Sequence, residues 1–142
     1  MKIREVMTGE VVKIHPEETA AVAARTLAHY NIGALPVCDH GGNLCGLVTD
    51  RDLVTRCLAR ESDPEHTRVK EVMSPNVVSV APDMETSAAA SLMSKRRIRR
   101  LPVVENGKLC GMLSLGDLAK RENTNPDAAE ALGSICTNIT RF

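Results

Sequence analysis

Short β-branched runs alternate with alanine-rich helical patterns along this chain, and the whole alternation occurs twice. Val11-Val12-Lys13-Ile14 and Val77-Val78-Ser79-Val80 read as strands, each stopped by a proline two residues on. Pro16-Glu17-Glu18-Thr19 then supplies the proline and acids that suit a first helical turn. The predicted helix carries Ala20, Ala23, Ala24, Leu27 and Ala28 at helical spacing, and its later twin carries Ala89, Ala90 and Met93. Small residues on such a face let another backbone approach closely. Leu35-Pro36-Val37-Cys38 and Leu44-Cys45-Gly46-Leu47-Val48 read as two strands joined by His40-Gly41-Gly42-Asn43. In the later copy the joint is Asn106-Gly107, a strong hairpin signal. A second helix is predicted from near Asp52, with Leu53, Val54, Cys57 and Leu58 as its apolar face, and another from near Asp117. The unit is β-α-β-β-α, twice.

The residues themselves repeat, not only the pattern. Glu5-Val6-Met7 recurs as Glu71-Val72-Met73, and at the same offset Pro16 recurs as Pro82 and Leu35-Pro36-Val37 as Leu101-Pro102-Val103. One deletion later, Leu44-Cys45-Gly46 matches Leu109-Cys110-Gly111, and Asp52-Leu53 matches Asp117-Leu118. A fixed register of this kind marks an internal duplication. The organisation expected is one repeat over 1–60, a polar linker over 61–66, a second repeat over 67–121 and an extension over 122–142. In the extension, Asn125-Pro126-Asp127 reads as the cap and start of a terminal helix running to about Cys136. Half a chain, at about sixty residues, is marginal as a separate core. The expected fold is therefore α/β of the α+β type, two duplicated halves packed about a pseudo-twofold axis. Two related crevices between them would be natural ligand sites.

Composition narrows the function classes. The chain has 142 residues with 18 Lys+Arg against 18 Asp+Glu, a formal net charge of +0, which argues against electrostatic capture of nucleic acid or an anionic membrane. With one Tyr, one Phe and no Trp, base stacking on single strands is disfavoured. The opening residues lead into no long apolar run, so neither a signal peptide nor a membrane anchor is expected. Five scattered cysteines without a C-x-x-C pair fit reduced thiols in a cytoplasmic protein, where the Asn138-Ile139-Thr140 glycosylation pattern means nothing.

Two features carry candidate chemistry. Gly46-Leu47-Val48-Thr49-Asp50-Arg51-Asp52 and Gly111-Met112-Leu113-Ser114-Leu115-Gly116-Asp117 each end a strand in a hydroxyl residue as a helix begins. Amide N–H groups there favour anions, and the Asp can accept from a vicinal diol such as a ribose. Thr49, Asp52, Ser114 and Asp117 also suit plain helix capping, and a duplication preserves caps as well as sites. The second feature is the basic run Lys95-Arg96-Arg97-Ile98-Arg99-Arg100. The first copy has Gly33-Ala34 where this one has Arg99-Arg100, so packing does not require arginine there and an anionic ligand explains it.

The duplicated V-M, V-V-x-V-x-P, L-P-V and C-G-h-h-[ST]-x-x-D pattern resembles a tandem pair of cystathionine β-synthase (CBS) domains, a Bateman module, over residues 1 to about 121. The resemblance implies a regulatory module that binds an adenosine-containing ligand, AMP, ADP, ATP or S-adenosylmethionine, with no tightly bound cofactor. It implies that Ser114 and Asp117 hold phosphate and ribose in one cleft and Thr49 and Asp52 in the other, with Arg99 and Arg100 gripping phosphate. Backbone groups near Lys13-Ile14 and Ser79-Val80 are then expected to read the adenine edge. Gly33-Ala34 departs from the basic pair, which weakens phosphate binding at the first cleft. A homodimer through helical faces and an unidentified effector protein are the partners expected, since no effector domain is fused here.

Three classes of function stand against one another: a ligand sensor, a structural or oligomerisation module without nucleotide, and a nucleic-acid or metal binder. Cys38, His40 and Cys45 lie near one turn, but structural zinc sites show tighter paired spacing, and Cys45 and Cys110 suit packing at equivalent strand positions. With no H-E-x-x-H, G-x-S-x-G or Walker-type glycine loop, the reading is not an enzyme.

Overall fold

The alanine-rich segments form two helices of eleven residues, and each is followed by a hairpin and a short second helix. A computed structural model describes residues 1–120 and 125–136. The Asn138-Ile139-Thr140 pattern, the repeat boundary at Arg121 and the side chains of Asn125 and Cys136 lie outside what is described. In chain order the elements are a 3₁₀ turn Ile3–Glu5, α1 Ala20–Tyr30, β1 Ala34–Cys38, β2 Leu44–Thr49, and α2 Asp50–Leu53 continuing as a π-helical turn Val54–Leu58. Then come α3 Val69–Val72, α4 Thr86–Arg96, β3 Arg100–Glu105, β4 Lys108–Ser114, α5 Leu115–Ala119 and α6 Asn125–Cys136. The result is a mixed α/β fold with the same helix-plus-hairpin unit built twice.

Local chemistry sets the element ends. The Thr19 hydroxyl accepts from the Val22 N–H and starts α1, so the helix begins four residues after Pro16, and Pro16-Glu17-Glu18 form a turn ahead of it. Asn31 and Arg97 close α1 and α4 in the left-handed conformation, at φ 52° and 57°. Asn106 (φ 54°) and Gly107 (φ 79°) make the tight turn of the second hairpin, as their sequence predicts. The expected strands at 11–14 and 77–80 reduce to single parallel bridges, Ile14 with Val37 and Val80 with Val103. The prolines that follow and the solvent-facing Lys13 and Ser79 leave only the buried Ile14 and Val80 to pair.

Two faces also differ from expectation. On α1, Ala20, Ala21, Ala23 and Leu27 are buried, while Ala24 and Ala28 face outward. After Asp52 only Cys57 is fully buried and Leu53 half-buried; Val54 is 55% exposed and Leu58 72%. The π-helical turn shifts the side-chain spacing, so a 3.6-residue count mis-assigns these last positions.

The chain divides into two compact units, and these are not the two sequence repeats. One unit gathers Met1–Val11, Val78–Asn106 and the described residues from Cys110 onward; the other gathers Val12–Val77 with Gly107–Leu109. The repeated Glu-Val-Met segment explains the exchange. In the first unit, the Glu5 carboxylate accepts from the Lys2 N–H, Val6 enters the core, and Thr8 pairs with Met112 through two backbone bonds of 2.9 and 3.0 Å. In the second unit, Glu71 accepts from the Arg68 N–H, Val72 is buried, and Ser74 pairs with Leu47 at 2.9 and 3.0 Å. Each crossing lies over a strand glycine. A Cβ on Gly111 would sit 2.8 Å from the Thr8 carbonyl oxygen and 2.7 Å from the Met7 sulfur; on Gly46 it would sit 2.7 Å from the Ser74 carbonyl oxygen and 2.9 Å from the Met73 sulfur. Each leading segment thus serves the hairpin of the other sequence repeat.

Each unit has its own aliphatic core. Ile3, Ala89, Met93, Leu101, Val103, Leu113 and Leu118 form one, joined by Ala128, Ala131 and Ile135 from α6, which packs on α4 and α5. Ala23, Leu35, Val37, Val48, Val69 and Val72 form the other. Because the crossing backbone leaves no room, Gly46→Ala and Gly111→Ala are each expected to lower unfolding free energy by about 1–3 kcal/mol, read as a lower urea midpoint. Wild-type midpoints in both variants would contradict the crossing.

Candidate functional site

The end of each hairpin builds the same corner. The Leu115 N–H donates to the Arg99 carbonyl at 2.8 Å, and in the other unit the Asp50 N–H donates to the Gly33 carbonyl at 3.1 Å. This bond places the residue before the hairpin's first strand beside the first residue of the short helix. In one unit the neighbours are Arg99 and Leu115; in the other they are Gly33 and Asp50. One corner is cationic and apolar, and the other offers a carboxylate.

The hydroxyl and Asp of both motifs are committed to reciprocal capping. Ser114 Oγ accepts from the Asp117 N–H at 3.0 Å while Asp117 Oδ2 accepts from the Ser114 N–H at 2.8 Å. Thr49 Oγ1 and Asp52 Oδ2 do the same at 3.0 and 2.9 Å. Asp52 is further held by Arg56, 3.6 Å from Oδ1, and Arg56 Nη1 also donates to the carbonyls of Val72 and Met73. Asp52 thereby helps fasten the crossing segment and is 8% exposed, whereas Asp117 stays half-buried.

Arg99, Arg100 and Ser114 come together around one cavity of about 510 Å³, within the roughly 300–1,000 Å³ of small-molecule sites. Its remaining lining is Leu115, Gly116 and Ala119 of α5 and Ala128, Ala129 and Leu132 of α6. Among the described residues neither arginine forms an ion pair, so the cavity is lined by two uncompensated cations and, Ser114 aside, by apolar residues. The basic run is split by the fold: Lys95 and Arg96 end α4, Arg97 caps it, Ile98 is half-buried, and only Arg99 and Arg100 reach this cavity. Leu115 and Gly116 read in sequence as variable spacers, and the α6 residues carried no motif at all.

The remaining candidates lie elsewhere. Ile14 and Val80 are buried and use their backbone groups in the bridges to β1 and β3: the Ile14 N–H donates to Pro36 and its carbonyl accepts from Cys38, and Val80 does likewise with Pro102 and Val104. Lys13 and Ser79 are exposed. Lys13 and Ile14 line a second cavity of about 480 Å³, with His15, Cys38, Asp39, His40, Gly41 and Gly42. There the His15 and His40 rings lie 4.1 Å apart, and burial pushes the Cys38 thiol up, so it stays protonated at neutral pH. Hydrogen bonds from Asn43 and Gly41 hold the Asp39 carboxyl below its ordinary value. Among the described residues no three His, Cys, Asp or Glu side chains are placed to hold a metal ion. Cys45 and Cys110 are half-buried rather than fully packed. No helix among these residues is long and apolar enough to cross a membrane.

Capping and cavity roles separate by stability. Thr49→Ala and Ser114→Ala are each expected to cost about 1 kcal/mol, while Arg99→Ala and Arg100→Ala should stay within about 0.5 kcal/mol of wild type. Urea unfolding of the four variants distinguishes them; a large loss on removing either arginine would make it a structural residue.

Comparison with known proteins agrees with this architecture. A CBS domain family model matches residues 3–59 and 69–123. The CBS domain-containing protein YhcV of Bacillus subtilis is 40% identical over 138 residues, 97% of this chain and 94% of that protein. The crystal structure of hypoxic response protein I with two coordinated zinc ions matches with a TM-score of 0.79 at 29% identity, over 85% of this chain and 98% of that one. The CBS domain pair of protein MJ0100, solved in complex with 5′-methylthioadenosine and S-adenosyl-L-methionine, matches with a TM-score of 0.75 at 26% identity, over 84% and 94%. With one motif matched in each of its repeats, the chain belongs to the CBS domain family, as a tandem pair.

Proposed function

We propose that the chain is a regulatory binding module, not a catalyst, and that it senses an adenosine nucleotide through the phosphate at Arg99 and Arg100. The observation that carries this is the cavity itself, which is lined by two arginines without a carboxylate partner among the described residues and, Ser114 aside, by apolar residues. Guanidinium forks match phosphate oxygens in geometry and charge. The adenosine part of the reading is supported by the MJ0100 domain pair, which was solved with two adenosine compounds. Ser114 would lie against the phosphate side, and Asp117, with an oxygen beyond its capping bond, would meet the ribose. Ser79 and Val80 lie outside the lining of this cavity and are assigned no part in it.

The same logic orders the ligands. S-adenosylmethionine carries a sulfonium cation, which two arginines repel, so AMP, ADP and ATP are favoured over it. The counterpart set, Thr49, Asp52, Lys13 and Ile14, lacks the basic pair and carries Asp50 instead, and is assigned no phosphate. A second copy of the chain is the partner proposed for the exposed Tyr30, Val54 and Leu58 of the α1–α2 face. Sedimentation equilibrium tests this directly: Leu58→Asp should shift a dimer toward monomer, and an unchanged mass would remove that face from the interface.

Thermal unfolding against AMP, ADP, ATP, S-adenosylmethionine and 5′-methylthioadenosine tests the ligand. A ligand at 100 times its Kd adds about 2.7 kcal/mol, on the order of 10 °C for a chain of this length. The expected result is a shift with at least one phosphorylated ligand that exceeds the shift with S-adenosylmethionine. Arg99→Ala and Arg100→Ala should weaken the affinity about tenfold or more. No shift with any of the five would overturn the sensor reading in favour of a structural module.

A further inference from the structure

Two asymmetries between the repeats meet at one place. Arg99-Arg100 replace Gly33-Ala34, and α6, which follows the second repeat, has no counterpart after the first: there the chain passes from the π-helical turn through residues 59–68 into α3. The inner face of α6 is anchored by Ala128, Ala131 and Ile135, two alanines and one isoleucine, in the core beneath α4 and α5. Among the described side chains that is a small apolar anchor for a twelve-residue helix. Leu132 lies off this face, 45% exposed, and with Ala128 and Ala129 it forms the cavity wall facing the arginines. Leu132 thus leaves apolar surface open in a cavity that Arg99 and Arg100 also line.

We infer that α6 is the reporting element of this site: a nucleotide held by Arg99 and Arg100 covers Leu132 and Ala129, and its occupancy sets how firmly α6 is docked. This rests on the nucleotide reading above and adds the route by which binding reaches a partner. The coupling is reciprocal, so whatever fixes α6 tightens the nucleotide and whatever draws α6 away releases it. The partner such a device serves is one that binds the apolar inner face of α6 once the helix is released.

The test uses the full chain. Hydrogen exchange of the 125–136 amides is followed with and without saturating AMP and ATP, alongside titration of Leu132→Asn, whose exposed position spares the fold. The expected result is exchange in α6 slowed about tenfold or more by nucleotide, with Leu132→Asn binding about five- to tenfold more weakly at an unchanged apo Tm. If nucleotide raises the Tm but α6 exchange is unaltered and Leu132→Asn binds as wild type, the inference is overturned and the site reading stands. If no nucleotide raises the Tm, the site reading fails first and the inference falls with it. Should Leu132→Asn prove unstable, the wild-type exchange measurement decides alone.

Discussion

A strand has no room for a side chain where a second backbone crosses it in contact, and this structure makes such a crossing twice, at Gly46 and Gly111. The crossing segments are the repeated Glu-Val-Met stretches. Each is capped by its own glutamate, anchored by its buried valine, and laid with its methionine sulfur against the glycine. The leading segment of the first repeat serves the second hairpin, and the leading segment of the second serves the first. The compact units are consequently interleaved along the chain, and neither sequence repeat holds a complete unit. Each crossing lies on the hairpin strand that leads into a short helix.

On that duplicated frame, the proposed function rests on the differences. The corner bond from the short helix to the residue before the first strand is present in both units, so the frame places residues 99 and 115 together just as it places 33 and 50. What changes is chemistry alone: arginine for glycine, leucine for aspartate. Duplication gives two equivalent positions, and divergence has made one of them cationic. The added helix α6 then walls the cationic position.

Much of this was legible in the sequence. The repeat register, both hairpins, the alanine helices and the Arg99-Arg100 asymmetry are local or self-referential patterns, and all are found where the residues put them. What was not legible depends on long-range packing. Gly46 and Gly111 were visible as a repeated motif, but their partners Met73 and Met7 come from the other repeat. Val54 and Leu58 looked inward on a 3.6-residue count because the π-helical turn that moves them has no sequence mark. Thr49, Asp52, Ser114 and Asp117 fit a cap and a ligand equally well by type, and only the hydrogen bonds show that capping is already in use. Ala128, Ala129 and Leu132 carry no motif, since their place at the cavity comes from how α6 docks.

The central claim is that this CBS pair carries one phosphate-binding position per chain, on the second repeat. Isothermal titration of the purified protein with AMP measures it most directly. The account predicts one AMP per chain, with binding weakened by Arg100→Ala and unaffected by Asp50→Asn. Two equivalent sites per chain, or a single site insensitive to Arg100→Ala, would contradict it.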